Sequence, residues 1–177
     1  MKRILLFLIL ISLVSCEEKI LISLISCEEK DDLLGMTFDK EAYNENRNLW
    51  QGNKILNYTF AQLYFSTSVG GQPELSTIVR NNELENITIK SSAKNVRIGE
   101  LIYFDNITDL FDFIGRVVKD ANEQINSSDN AMEGAIIDVK YDETYHYPTK
   151  ISCKGYYPKG YVGGLSISIF VNDFEVN

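Results

Sequence analysis

The chain has 177 residues, with 17 Lys+Arg against 25 Asp+Glu and a formal net charge of −8. That length suits one domain of ordinary size, and 24 % charged and 11 % aromatic residues are near globular averages, which excludes disordered, collagenous and low-complexity chains. The acid excess argues against nucleic acid as a partner, because Lys and Arg are what neutralise phosphates.

Met1-Lys2-Arg3 is a short basic start before an apolar run over residues 4–14. A run of that length matches a secretory signal core and falls short of the roughly 20 residues that a spanning helix needs. It ends in Leu13-Val14-Ser15-Cys16, which resembles the lipobox of bacterial lipoproteins, where the cysteine is lipidated and becomes the mature N-terminus. Residues 9–19 then recur as residues 20–30 with one change, Val14 against Ile25, and this tandem duplication creates a second lipobox, Leu24-Ile25-Ser26-Cys27. A single membrane helix over residues 4–26 would hold Glu17, Glu18 and Lys19 near its middle, and each charge there costs about 2.5–3.5 kcal/mol. The uninterrupted apolar core favours Cys16 as the lipid attachment site, with Cys27 as the alternative. The chain thus divides into a signal peptide at 1–15, an acidic tether at 16–36 and one folded domain at 37–177. Removing residues 1–15 takes away two basic residues and no acid, so acyl chains and not a basic surface would hold the domain at a membrane.

Thr37 is positioned to cap a helix over residues 38–50, with a thin apolar stripe of Phe38, Ala42, Leu49 and Trp50 and with Gly52 past its end. Residues 57–68 read as a central or well-covered strand, since Tyr58, Phe60 and Tyr64 fall on one face and Ala61, Leu63 and Phe65 on the other. Residues 75–80 and 84–90 flank Asn81-Asn82, a pair that tolerates the positive φ of a tight hairpin. Residues 91–100 read as a loop and 101–104 as a short extended piece. Asn106 opens the strongest helix pattern in the chain: Ile107, Leu110, Phe111, Ile114, Val117, Val118, Ala121 and Ile125 recur at spacings of three and four. Three alternating strands follow, through Ala135–Asp142, Lys150–Lys154 and Leu165–Asn172, with Cys153 on a buried face as a structural thiol. The pattern predicts an α+β fold: an antiparallel sheet of five to six strands with two helices on one face, in the order α-β-β-β-α-β-β-β.

Chemistry-bearing motifs are sparse. The chain has one histidine, His146, and neither Cys-x-x-Cys zinc spacing, a Gly-x-Ser-x-Gly elbow nor a phosphate loop, so no catalytic residue, metal or cofactor is expected. The Asn-x-Ser/Thr triplets at Asn57, Asn86, Asn106 and Asn126 read as products of an Asn-rich composition. Aromatic residues concentrate in the last third: Tyr145, Tyr147, Tyr156, Tyr157, Tyr161 and Phe170. Tyrosine offers large, rigid contact area with a polar tip, so these six are the candidate binding surface, with ordinary strand packing as the competing reading.

Trp50, Asn57-Tyr58-Thr59-Phe60, the hairpin over residues 79–84, Ile107-Thr108-Asp109-Leu110-Phe111, Val139-Lys140-Tyr141-Asp142 and Tyr147-Pro148-Thr149-Lys150-Ile151 follow one another in an order and spacing that resembles the bacterial lipoprotein family called domain of unknown function 6174. Departures are His146 where that family usually has Gly before Tyr-Pro, Asn81-Asn82 in place of Asp-Gly, and a Tyr- and Gly-rich loop over residues 156–164 where an acidic stretch is expected. The resemblance implies an exported domain and supplies no activity. In the order of its elements the chain is also similar to inhibitor-like periplasmic modules. The resulting expectation is a lipid-anchored, non-enzymatic domain of the bacterial cell envelope, periplasmic or on the outer surface, that binds an envelope or secreted protein or inhibits it. The alternative is a structural or assembly lipoprotein without a small ligand.

Overall fold

A computed structural model describes residues 35–90, 96–127, 132–161 and 164–177, all within the unit Leu34–Asn177. Cys16, Cys27 and the duplicated segment lie outside the described residues. In chain order the elements are β1 (Gly35–Phe38), α1 (Lys40–Asn53), β2 (Tyr58–Ser66), β3 (Gly70–Gly71), β4 (Leu75–Arg80), β5 (Glu83–Ile89), a 3₁₀ turn (Ile98–Glu100), α2 (Ile107–Ile125), β6 (Gly134–Tyr141), β7 (Pro148–Tyr156) and β8 (Ser166–Val176). The fold is α+β. Its sheet runs β1-β6-β7-β8-β2-β4-β5, with β3 paired to β2.

Period-two alternation sorts the strand residues cleanly. The registers align Val139, Ile151, Ile169 and Tyr64 across four strands, and Val171, Gln62 and Leu75 across three. These positions form the inner face, and α1 and α2 contribute Tyr43, Trp50, Leu110, Phe111 and Ile114 to the same core cluster. Asn106 caps α2 by accepting from the Asp109 N–H at 3.0 Å. The periodic stripe becomes its buried side, with Ile107, Leu110, Phe111, Ile114, Val117 and Ala121 buried. The Ile107 N–H, otherwise an orphan donor of the first turn, donates to the Tyr58 hydroxyl oxygen at 3.0 Å.

Asparagines organise the hairpin end. Asn81 and Asn82 hold φ of +51° and +63°, as a type I′ turn requires. The Asn81 N–H donates to Asn57 Oδ1, and Asn106 Nδ2 donates to the Asn82 carbonyl. Two of the chance glycosylation triplets therefore start with side chains that tie β2, the hairpin and α2 together.

The structure corrects the sequence reading in four places. First, the sheet is mixed and has eight strands: β1 pairs in parallel with β6, Gly35 opposite Gly134 through Phe38 opposite Ile137. A four-residue strand whose partner lies a hundred residues on leaves no local signal. Second, Thr37 belongs to β1, and Asp39 caps α1 by accepting from the Ala42 N–H at 2.9 Å. Phe38 meets Tyr43 across this cap with ring centroids 5.6 Å apart, a hydrophobic staple. Third, α1 passes Gly52 and ends at left-handed Lys54, and its buried residues are Tyr43 and Trp50, while Leu49 is 41 % exposed. Fourth, residues 101–104 form no strand. The Gln62 side chain does the pairing instead: Phe104 N–H donates to Oε1 at 2.8 Å, while Nε2 donates to the Phe104 carbonyl at 2.9 Å and to Thr77 Oγ1 at 2.7 Å.

Gln62 is 4 % exposed and Thr77 fully buried, so losing the amide strands several buried polar groups at once. Gln62→Leu is expected to cost about 3 kcal/mol and to lower the thermal midpoint by about 10 °C, measured by circular dichroism. An unchanged midpoint would show that this amide carries no such burden.

Candidate functional site

The six aromatic residues of the candidate surface separate into three groups. Tyr145 and Tyr147 turn inward around Phe174, with ring centroids 5.3 Å and 4.4 Å away, and Phe174 also meets Trp50 and Tyr58. Tyr147 is 7 % exposed and presents almost no surface. Tyr157 and Tyr161 stack at 4.5 Å with planes 7° apart. The Tyr157 hydroxyl accepts from the Leu165 N–H at 2.8 Å, and its ring covers Gly155 and Gly164 so closely that a Cβ on either would collide with it. Tyr157 thus bridges the end of β7 and Leu165, while Tyr161, stacked on it, is 49 % exposed. Only Tyr156 and Phe170 lie on the outer face of the sheet.

The outer face is built by the residues that alternate with the core. One row across β6, β7, β8 and β2 reads Lys140, Lys150, Phe170 and Leu63, the next reads Asp138, Ser152, Ser168 and Phe65, and the third reads Ile136, Lys154 and Ser166. Both helices belong to the inner core. Phe65 is 40 % exposed, and its ring packs edge-on against Phe170 at 6.2 Å. Opposite it Gly71 leaves room: a Cβ there would stand 2.8 Å from the ring. Lys150 Nζ is 5.7 Å from the Phe170 centroid and Lys154 Nζ 4.9 Å from that of Tyr156, both within cation–π range. A cleft of about 190 Å³ opens beside Phe65, between Gly71, Ser166 and Ser168. Towards β5, Lys90 reaches across the face to Asp173, and this partner raises the lysine pKa.

Other features offer less chemistry. Among the described residues no cluster of three His, Cys, Asp or Glu could hold a metal ion, and no helix is long and apolar enough to cross a membrane. His146 lies in a turn at φ +66°, its N–H donating to the Asp142 carbonyl. Asp142 is occupied in accepting from the N–H groups of Thr144 and Tyr145. Cys153 is free and 1 % exposed, and burial pushes its thiol up to about 12, which leaves it without thiolate reactivity. A groove of about 500 Å³ runs beside Met36, Phe38, Tyr43 and Val118. A smaller cavity of about 260 Å³ borders Tyr141, whose buried hydroxyl has no partner among the described residues.

A family model described as a family of unknown function (DUF6174) matches residues 42–156. The chain belongs to this family. No curated protein and no solved structure matches the chain. The DUF6174 match ends at the last residue of β7, so Phe65, Lys150 and Lys154 lie within it and Phe170 on β8 lies beyond it. The positive φ of His146 is the region that favours glycine, which accounts for the Gly expected at that place.

Phe65, Lys150 and Lys154 were not singled out by sequence reasoning. Two signals were present: apolar residues on both faces of residues 57–68, and Lys150-x-Ser152-x-Lys154 along one strand face. What was missing was the register that brings Phe65, Phe170 and the lysines onto adjoining strands.

Four buried acids weaken the fold at alkaline pH. Burial raises Cys153 from 9.0, and Tyr58 and Tyr147 from 10.0, each to about 12, and raises the Tyr141 hydroxyl as well. A folded-state pKa above the unfolded value means that folding holds the proton, so stability is whole below pH 9 and falls as pH rises towards 12. The thermal midpoint is expected to drop from pH 9 upward, and Cys153→Ala to flatten the segment between pH 9 and 10, where the tyrosines contribute little. An equal slope in the variant would remove Cys153 from this explanation.

Proposed function

We propose that this chain is an exported, lipid-anchored, non-enzymatic module of the bacterial cell envelope that binds another protein through the outer face of its sheet. The observation that carries the reading is the Phe65–Phe170 pair, lying over Gly71 and edged by Lys150, on the sheet face opposite both helices. Fixed aromatics with a polar surround are what recognition surfaces use, because rigid rings lose little entropy on binding. The lack of a nucleophile–base pair around His146 and the inert Cys153 support binding over catalysis. The signal-like N-terminus and Leu13-Val14-Ser15-Cys16 support export and anchoring at Cys16. Of the tyrosine-rich third, Tyr156 and Phe170 belong to the contact surface, Tyr145 and Tyr147 pack on Phe174, and the Tyr157–Tyr161 stack lies beside β7 with Tyr161 exposed.

A benzophenone amino acid placed at Ser168 in the native cells tests the binding face, with the same group at exposed Asn48 on α1 as control. The expected result is one discrete adduct from Ser168, absent from Asn48 and lost on Phe65→Ser. An adduct indifferent to Phe65, or none, contradicts the reading. Metabolic labelling with an alkyne fatty acid tests the anchor: label is expected to persist in Cys27→Ser and to vanish in Cys16→Ser.

A further inference from the structure

On an acidic chain, the outer face of β6 and β7 is a basic exception. Register places Lys140 directly opposite Lys150, a like-charge pair that destabilises a sheet. Lys154 follows Lys150 on the same face. Among the described residues none of these three lysines forms an ion pair. Asp138 stands between them on β6 and reaches none within salt-bridge distance. A chain with 25 acids could have neutralised such a cluster, and it leaves these charges outward beside Phe65 and Phe170.

We infer that the partner presents an extended acidic segment to this face, with carboxylates at positions i and i+4. This rests on the outer face being the contact surface. The spacing follows from strand geometry. Lys150 and Lys154 are four residues apart along β7, about 13 Å, and an extended partner repeats that distance between its own i and i+4 side chains. The side chain at i+2 falls between them, over Ser152, with Asp138 and Ser168 on the neighbouring strands. Serines and Asp138 across the middle of the face favour a peptide over a lipid surface, which would bury a continuous apolar patch.

The probe is an acetylated, amidated seven-residue peptide with aspartates at its second and sixth positions and serines elsewhere. Its binding to the full-length protein is read by fluorescence anisotropy and compared with a scrambled peptide of equal charge and with phosphatidylglycerol vesicles. Saturable binding is expected, weakened at least tenfold by Lys150→Glu with Lys154→Glu and by scrambling, and reduced as salt rises. Equal binding of the scrambled peptide, indifference to the lysine reversal, or lysine-dependent binding of vesicles in place of peptide overturns the inference. The Ser168 cross-link separates this inference from the reading beneath it. If that adduct survives the double charge reversal, the contact surface stands and the acidic partner falls.

Discussion

The structure depends on where β8 lies. The last strand enters the middle of the sheet, pairing with β7 on one side and β2 on the other. Without it the β1-β6-β7 group and the β2-β4-β5 group share no ladder. Its inner residues Ile169 and Val171 are buried. Asp173, at φ +48°, marks a bulge opposite Thr59–Ala61, and the extra residue turns Phe174 inward onto Trp50, Tyr58 and Tyr147. A single strand thus joins two half-sheets and ties α1 to both. Such long-range pairing predicts late, slow closure of the sheet.

The same strand divides the chemistry of the molecule. Facing inward, β8 contributes only to packing. Facing outward, Ser166, Ser168 and Phe170 form the middle of the proposed contact surface, with Phe65 on one side and Lys150 and Lys154 on the other. Gly71 on the two-residue strand β3 leaves space for the Phe65 ring. An exposed aromatic packed against a second ring is a recognition feature, whereas a core requirement would have placed Phe65 inside.

What the sequence revealed followed from how local its determinants were. The α2 stripe, its Asn106 cap and the Asn81-Asn82 turn are each written within one or two turns of chain, and each reappears in the structure. Gln62 as a pairing device, β1 as a parallel strand and the inward turn of Tyr147 depend on residues more than twenty-five positions away, so periodicity could not expose them. The tyrosines illustrate the limit. As a composition they read as one surface, but packing on Phe174, a stack beside two glycines and the outward alternation of β7 and β8 send them to three different places. Lys140 and Lys150 are unremarkable ten residues apart in sequence and face one another only through the β6–β7 register.

The most direct measurement compares Phe170→Ser with Phe174→Ala, two substitutions on one strand that face opposite ways. Thermal unfolding and the yield of the Ser168 cross-link are read for both. If β8 joins the sheet through one face and binds through the other, Phe170→Ser loses the adduct and shifts the midpoint by no more than about 3 °C. Phe174→Ala then loses about 3–5 kcal/mol of stability. A Phe170→Ser protein that keeps its adduct, or that unfolds as readily as Phe174→Ala, would contradict this division of labour.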